Sequence, residues 1–185
     1  MKPSLTAQRH QSQLVIVDMQ QRLAEAMPPD AMQSVSKYCG ILLQAAALLE
    51  IPALCTEQYP KGLGHTLPEL TPLLAANPRI EKTAFSCPAE PRFGQKLSND
   101  RPQIVLAGME AHICILQTAL DLHASGHQVF VVEDAVLSRN PANKANALGR
   151  LRQAGVIVSN TESVVFEWLG KGEGDAFKQI SRLIR

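Results

Sequence analysis

The stretch QIVLAGMEAHICILQTALDLHASG, residues 103–126, joins a short apolar run directly to a segment with helical spacing. Residues 103–110 are apolar at most positions, which is typical of a strand buried on both faces of a parallel sheet. In residues 112–125 the apolar side chains recur three and four positions apart, and Gly126 follows where a helix commonly ends. The stretch therefore predicts a buried strand that leads into a helix.

This pattern of strand and helix recurs along the chain. Helices are predicted at residues 30–50, with Asp30 as N-cap, and at residues 141–154, which begin at Pro141. The other runs that we predict as strands are residues 14–18, 51–58, 79–83, 128–135 and 156–160. Alternating strands and helices connect through right-handed crossovers. The sequence therefore predicts an α/β fold, a three-layer α/β/α sandwich around a mostly parallel, Rossmann-like sheet of about six strands.

Length and composition limit the partners that the chain can have. Its 185 residues are the size of a single domain, 1–185, that buries its own core without disulfides or a structural metal. The 18 Lys and Arg residues nearly balance the 17 Asp and Glu residues, and no dense basic block is present. Binding to a phosphate backbone requires such a block. We therefore predict no nucleic-acid partner.

The N-terminal residues 1–13 are polar and lack the apolar core of a secretory signal. No apolar run approaches the roughly 20 residues that span a bilayer. We therefore predict no membrane association and a cytoplasmic location. In that compartment cysteines remain free thiols, and the four here are Cys39, Cys55, Cys87 and Cys114.

Ligands of an open parallel sheet bind beyond the carboxyl ends of its strands. The polar residues that end the predicted strands are Asp18, Glu57, Gln58, Glu110, Asp134 and Asn160. Cys114 lies in the first turn of the predicted helix, where unpaired amides and the helix dipole are expected to lower the pKa of its thiol. Cys114 is therefore a candidate nucleophile, and the alternative is a small buried hydrophobic side chain.

Two ionisable residues are candidates to act with the thiol. Asp18 ends so apolar a run that an unpaired carboxylate there is costly, and it could serve as a general base. The alternative is that Asp18 caps the turn that follows. Lys82 could keep a neighbouring thiolate and carboxylate charged, and the alternative is a solvated surface lysine.

Four segments carry a family resemblance: LVIVDMQ at 14–20, TEQYPKGLGHTLPEL at 56–70, EKTAFSC at 81–87 and GMEAHICILQTALDL at 108–122. Together they resemble the isochorismatase-like cysteine hydrolase family, and in particular its isochorismatase domain-containing branch. The likeness runs from about residue 12 to about residue 184. Four motifs in this order, each near a predicted strand end, make a specific match.

The resemblance implies a Cys-Asp-Lys triad. Asp18 would take the thiol proton and later activate water, Lys82 would hold the ionised partners in place, and Cys114 would attack a carbonyl to form a thioester-type intermediate. The family also has a non-proline cis peptide before the cysteine, which corresponds to Met109–Glu110 here. The amides of Glu110 and Cys114 would then face the oxyanion.

Further candidates for substrate binding are Gln20, Gln58, Tyr59, Phe85 and His112. Tyr59 and Phe85 come from the proline-rich, irregular segment 59–98 and could wall a pocket, with core packing as the alternative. His112 is expected to line the pocket mouth or cap the helix, because residues two apart on a helix point to different sides.

The resemblance also indicates what is absent. Nicotinamidases of the family bind a metal through an Asp-x-His motif and further histidines, whereas this chain has Glu57-Gln58-Tyr59, with only His65 nearby. We therefore predict no metal and no cofactor. Ala111 stands where members that hydrolyse isochorismate or small amides often have Thr or Ser.

Two functions are compatible with these residues. The first is a small-molecule hydrolase that cleaves an amide or related C–N bond, or an enol ether, through a covalent thiol intermediate. The alternative is a catalytically inactive scaffold of the same fold that binds a metabolite or a protein. From the family we also expect a homo-oligomer.

Overall fold

The computed structural model describes residues 4–185, which contain one six-stranded sheet. All strands are parallel, in the order β3-β2-β1-β4-β5-β6. Their bounds are β1 Ser12–Val17, β2 Ala53–Gln58, β3 Arg79–Lys82, β4 Gln103–Met109, β5 Gln128–Leu137 and β6 Ile157–Ser159. The predicted α/β fold with about six strands is confirmed, and so is the short strand at residues 79–83.

Eight α-helices accompany the sheet within the described residues. They are α1 Gln21–Glu25, α2 Pro29–Leu48, α3 Pro60–Leu63, α4 Pro91–Lys96, α5 Leu116–Ala124, α6 Pro141–Gln153, α7 Thr161–Leu169 and α8 Gly174–Ile184. A π-helical turn, Ala111–Ile115, precedes α5, and a 3₁₀ turn spans Cys87–Ala89. No helix among residues 4–185 is long and apolar enough to cross a membrane.

The sheet divides the apolar core into two clusters because successive side chains of a strand point to opposite faces. Leu14 and Ile16 of β1 pack on one face, with α2, α7 and α8. Val15 and Val17 of the same strand pack on the other, with α4, α5 and α6. These two helical layers and the sheet between them form the predicted three-layer sandwich.

Two local predictions are wrong. Asp30 is not an N-cap, because α2 begins one residue earlier at Pro29, whose fixed φ suits the first helical turn. Asp134 does not end its strand, because the buried run Ala135–Leu137 continues β5 and its last residues pair with the end of β4.

The carboxyl ends of the strands meet at one edge of the sheet, which brings distant residues together. Val17 of β1 pairs with Thr56 of β2 on one side and with Gly108 of β4 on the other. Gly108 has φ +121°, and a Cβ there would lie 2.0 Å from the Val17 carbonyl oxygen. Only glycine permits this approach of β4 to β1, so the residues that follow the two strands are neighbours.

Candidate active site

Asp18, Lys82 and Cys114 converge at this edge of the sheet. Lys82 ends β3 and reaches across β2, so that its Nζ lies 2.7 Å from Asp18 Oδ2. The same Nζ lies 3.5 Å from Cys114 Sγ, in the π-helical turn that follows β4. Asp18 and the Lys82 side chain are fully buried, and Cys114 is 6% exposed. The structure thus brings together three side chains that are far apart in the sequence.

The backbone and the carboxylate of Asp18 are both held by Thr56. Asp18 follows β1 with φ +51°, in the left-handed region that Asp tolerates better than most residues. Its amide donates to the Thr56 carbonyl at 3.1 Å, and its Oδ1 accepts from the Thr56 hydroxyl at 2.7 Å. Oδ2 contacts the Lys82 ammonium as an ion pair but receives no directed hydrogen bond among residues 4–185. Its lone pairs are therefore open to the thiol proton.

The Lys82 ammonium is surrounded by acceptors. Besides Asp18 and Cys114, it donates to Gln58 Oε1 at 2.6 Å and to the carbonyls of Ala84 and Phe85 at 3.1 and 3.2 Å. Burial acts to lower the pKa of Lys82, but the Asp18 carboxylate and the nearby thiols outweigh burial and raise it. Lys82 is therefore a buried cation at neutral pH, not a solvated surface lysine.

The thiol of Cys114 is protonated at neutral pH. Burial raises its pKa to about 12; the Asp18 carboxylate also raises it, and Lys82 only partly compensates. The expectation that the helix start lowers this pKa is therefore wrong. The helix dipole acts within one turn, whereas burial and a neighbouring carboxylate act directly on the sulfur. Attack by Cys114 requires a base to remove its proton.

Asp18 is the carboxylate nearest to hand for that proton, because both it and Cys114 contact the Lys82 ammonium, and a candidate oxyanion site follows β4. The Met109–Glu110 peptide is cis, and the Glu110 amide donates to no group among residues 4–185. The buried Glu110 carboxylate accepts from the amide and the Nε of Arg139, at 3.0 and 3.2 Å. These bonds anchor the segment between β4 and the π-helical turn, and they leave the Glu110 amide free to donate to a ligand.

The two glutamines that the sequence predicts as substrate-binding residues make internal hydrogen bonds. Gln20 is fully buried, and its amide group donates to the carbonyls of Gln58 and Gly64 and accepts from the Gln58 amide. The Gln58 side chain accepts from Lys82 and donates to the Thr83 carbonyl at 2.8 Å. Gln20 therefore fixes Gln58, and Gln58 fixes Lys82. These partners are mostly main-chain groups, which no sequence pattern reveals.

The remaining predicted contacts lie near the surface. Tyr59 and Phe85 are 55% and 53% exposed, so neither is a core residue. His112 is partly buried, and its Nδ1 lies 2.9 Å from the Ser138 hydroxyl. A cavity of about 570 Å³ opens beside Lys82 and Thr83 at edge strand β3, lined also by Tyr59, Glu90 and Arg92. Cys114 does not line this cavity, which therefore reaches the site only from the Lys82 side.

Cys87, in the 3₁₀ turn, is a second thiol close to the site. It is fully buried, burial raises its pKa to about 11, and its Sγ is 3.9 Å from the Thr56 hydroxyl. Its amide donates to Thr118 Oγ1 at 2.9 Å. The amides of Ala89 and Glu90 at this short turn donate to the carbonyls of Ser86 and Cys87, at 3.2 and 3.0 Å, so these two donors are occupied.

The segment that corresponds to the nicotinamidase metal motif is occupied by internal contacts. Glu57 Oε1 accepts from the amide and hydroxyl of Thr66, and its Oε2 lies 3.1 Å from His65 Nδ1. Among residues 4–185, no group of three or more His, Cys, Asp or Glu side chains could hold a metal ion.

The sequence and the fold of this chain are similar to those of known proteins. The family model described as the isochorismatase domain matches residues 12–163. The chain belongs to the isochorismatase family. It is 39% identical over 177 residues to isochorismatase domain-containing protein 2 of Bos taurus, which covers 94% of this chain and 83% of that protein. Membership of the family supports a hydrolase in general terms.

Two solved structures extend the comparison. One, described as the MAR1 ribonuclease of Caenorhabditis elegans, is 36% identical, with a TM-score of 0.90 over 97% of this chain and 92% of the other. The second is the ycaC gene product of Escherichia coli, described as an octameric hydrolase of unknown specificity. It is 22% identical, with a TM-score of 0.89 over 99% of this chain and 92% of the other, and it shows the shared fold.

Proposed function

We propose that this protein is a hydrolase that cleaves an amide or related C–N bond of a small molecule by covalent catalysis at Cys114. The observation that carries the proposal is the Lys82 ammonium, buried and in contact with both Asp18 Oδ2 and Cys114 Sγ, at 2.7 and 3.5 Å. A carboxylate, a thiol and a cation in one buried cluster are the parts that nucleophilic catalysis needs.

In the first half-reaction the Cys114 thiol gives its proton to Asp18 Oδ2 while sulfur bonds to the substrate carbonyl carbon. The carbonyl electron pair moves to oxygen, where the amides of Glu110 and Cys114 donate hydrogen bonds to it. A base is needed because the pKa of the thiol is raised to about 12. The tetrahedral intermediate then collapses, the C–N bond breaks, and the amine leaves with the proton held by Asp18.

In the second half-reaction water attacks the thioester and Asp18 takes a proton from that water. The C–S bond breaks, a carboxylic acid is released, and the sulfur recovers the proton from Asp18. Lys82 stays charged throughout, because its raised pKa holds its own proton, and its ammonium lies 2.7 Å from Asp18 Oδ2.

The exposed side chains near the crevice provide substrate contacts in this proposal. Tyr59 and Phe85 would supply apolar surface, and His112 with Ser138 a polar contact. RNA is a less favoured substrate, although the worm relative is described as a ribonuclease, because the 18 basic residues nearly balance the 17 acidic ones and form no dense block in the sequence.

We also propose that the protein forms a homo-oligomer. Large apolar side chains stay exposed on the described chain, among them Tyr59, Phe85 and Phe166. The E. coli protein of the same fold is described as octameric. Light scattering on the purified protein should give a mass of at least two chains, and a mass of one chain would contradict this.

The experiment for the proposed hydrolase is a screen of small amides for release of ammonia or amine. Wild type and Cys39→Ser should turn over the same substrates at similar rates, whereas Cys114→Ser should be inactive. Cys39 is a matched control because it is also buried but lies on α2. Binding of a screened compound equally by wild type and Cys114→Ser, without turnover by either, would favour the inactive scaffold. RNA is included as a further substrate.

A further inference from the structure

We infer that Thr56 is a positioning residue that fixes which oxygen of Asp18 acts as the base. The inference rests on the proposed function and adds a residue to it. Thr56 is 1% exposed in β2, between the strands that carry Asp18 and Lys82. Its carbonyl oxygen accepts from the Asp18 amide at 3.1 Å, and its hydroxyl donates to Asp18 Oδ1 at 2.7 Å.

The two oxygens of the Asp18 carboxylate have different surroundings. Oδ1 accepts a hydrogen bond from the Thr56 hydroxyl, whereas Oδ2 has the ion-pair contact with Lys82 and no directed hydrogen bond among residues 4–185. A carboxylate that rotates freely would present either oxygen to the sulfur. The hydroxyl prevents this rotation and leaves Oδ2 on the side of Lys82, which also contacts Cys114 Sγ.

The Thr56 hydroxyl is placed to bind Asp18 rather than a substrate. It is fully enclosed by the fold, so a substrate cannot reach it directly. The Cys87 sulfur, 3.9 Å away, is the other polar partner of the hydroxyl among the described residues. The titratable groups that face Asp18 are Lys82 from β3, Cys114 from the π-helical turn and Cys87 from the 3₁₀ turn.

A matched pair elsewhere in the fold provides the control. Thr161, 2% exposed at the start of α7, donates its hydroxyl to Asp134 Oδ1 at 2.8 Å. Thr56→Val and Thr161→Val each remove one hydroxyl donor from a carboxylate with almost no change in side-chain volume. Only the first removal is made beside Cys114.

The experiment measures the rate of Cys114 carboxamidomethylation by iodoacetamide against pH, with peptide mass spectrometry. At neutral pH, wild type and Thr56→Ser should be labelled at the same rate, because both keep the hydroxyl that holds Asp18 Oδ2 on the side of Lys82. In Thr56→Val the carboxylate can rotate away from the sulfur, so labelling at neutral pH should be about tenfold slower. At the highest pH at which the protein stays folded, hydroxide removes the thiol proton without Asp18, and the rates should converge.

The outcomes separate the two proposals. If Thr56→Val labels as fast as wild type at neutral pH, or if Thr161→Val slows labelling equally, the role of Thr56 is overturned. An equal slowing of Thr56→Val at neutral and at high pH also overturns it, because that is the mark of general structural damage. If wild-type Cys114 labels no faster than Cys39 at any pH, the proposed function itself fails. Should Thr56→Val not fold, as judged by circular dichroism, Thr56→Ala replaces it with the same expected slowing at neutral pH.

Discussion

The molecule contains two sets of the same four residue types, and only one set converges. In the first, Thr56 binds Asp18, and Lys82 contacts both Asp18 and Cys114. In the second, Thr161 binds Asp134 in the same way, at 2.8 Å. Cys39 and Lys144 lie near enough to Asp134 for its charge to influence both of their pKa values. Within residues 4–185, however, Lys144 contacts neither Asp134 nor Cys39, whereas Lys82 contacts both the carboxylate and the thiol of the first set.

The sheet keeps the members of the second set apart. Cys39 is on α2 and Lys144 on α6, and these helices pack against opposite faces of the sheet. The Cys39 sulfur instead donates to the Ala135 carbonyl at 3.6 Å, and Lys144 forms no ion pair within the described chain. Asp18, Lys82 and Cys114 all follow or end strands at one edge, which is where parallel strands bring side chains together. The topology of the sheet, and not the residue types, therefore decides which set converges.

The largest expected effect comes from removing the base. Asp18→Asn should lower turnover by about 10² or more, because the Cys114 thiol, whose pKa in wild type is about 12, loses its proton acceptor. Asp134→Asn should leave turnover within about twofold, because Asp134 lies outside the candidate site. Equal losses in the two variants would remove the distinction between the two sets.

The two lysines should differ strongly in their effect on stability. Lys82→Met leaves the Asp18 carboxylate buried and unpaired, so the free energy of unfolding in urea should fall by about 3–5 kcal/mol. Lys144→Met should change the free energy of unfolding by about 0.5 kcal/mol or less, because the Lys144 side chain is partly exposed. Burial lowers the pKa of Lys144, although carboxylates lie nearby.

A double variant is the control for the first result. Asp18→Asn with Lys82→Met removes both charges and should recover most of the lost stability. If Lys82→Met alone is as stable as Lys144→Met, the buried ion pair does not hold the site together.

A smaller effect should be shared by both sets. Burial raises the pKa of Cys39 and Cys114, so the folded chain keeps both protons at a pH where the unfolded chain has lost them. Stability is therefore intact below about pH 8.5 and falls as pH rises above it, by about 1.4 kcal/mol per thiol for each pH unit. Urea unfolding of wild type, Cys39→Ala and Cys114→Ala at pH 8 and 10 checks this. Between pH 8 and pH 10 each variant should lose less stability than wild type, and the two variants should differ from wild type by similar amounts. A steeper loss in either variant than in wild type would contradict this prediction.

The sequence predicts most of the fold because central strands such as β1 and β4 carry apolar side chains on both faces. It also predicts that Asp18, Lys82 and Cys114 are the residues to examine, through strand ends and family motifs. It misses Thr56, because a threonine inside a strand is ordinary and its partner comes from another strand. It predicts that the pKa of Cys114 is lowered, whereas the pKa is raised, because burial and the Asp18 charge depend on tertiary packing.

The central claim is that Asp18 and Lys82 activate one particular sulfur among four buried thiols. The most direct test is to expose native wild-type protein to iodoacetamide at neutral pH and to follow all four cysteines by peptide mass spectrometry over time. The account predicts that Cys114 is modified first, at least about tenfold faster than Cys39. Modification of Cys114 and Cys39 at the same rate would contradict it.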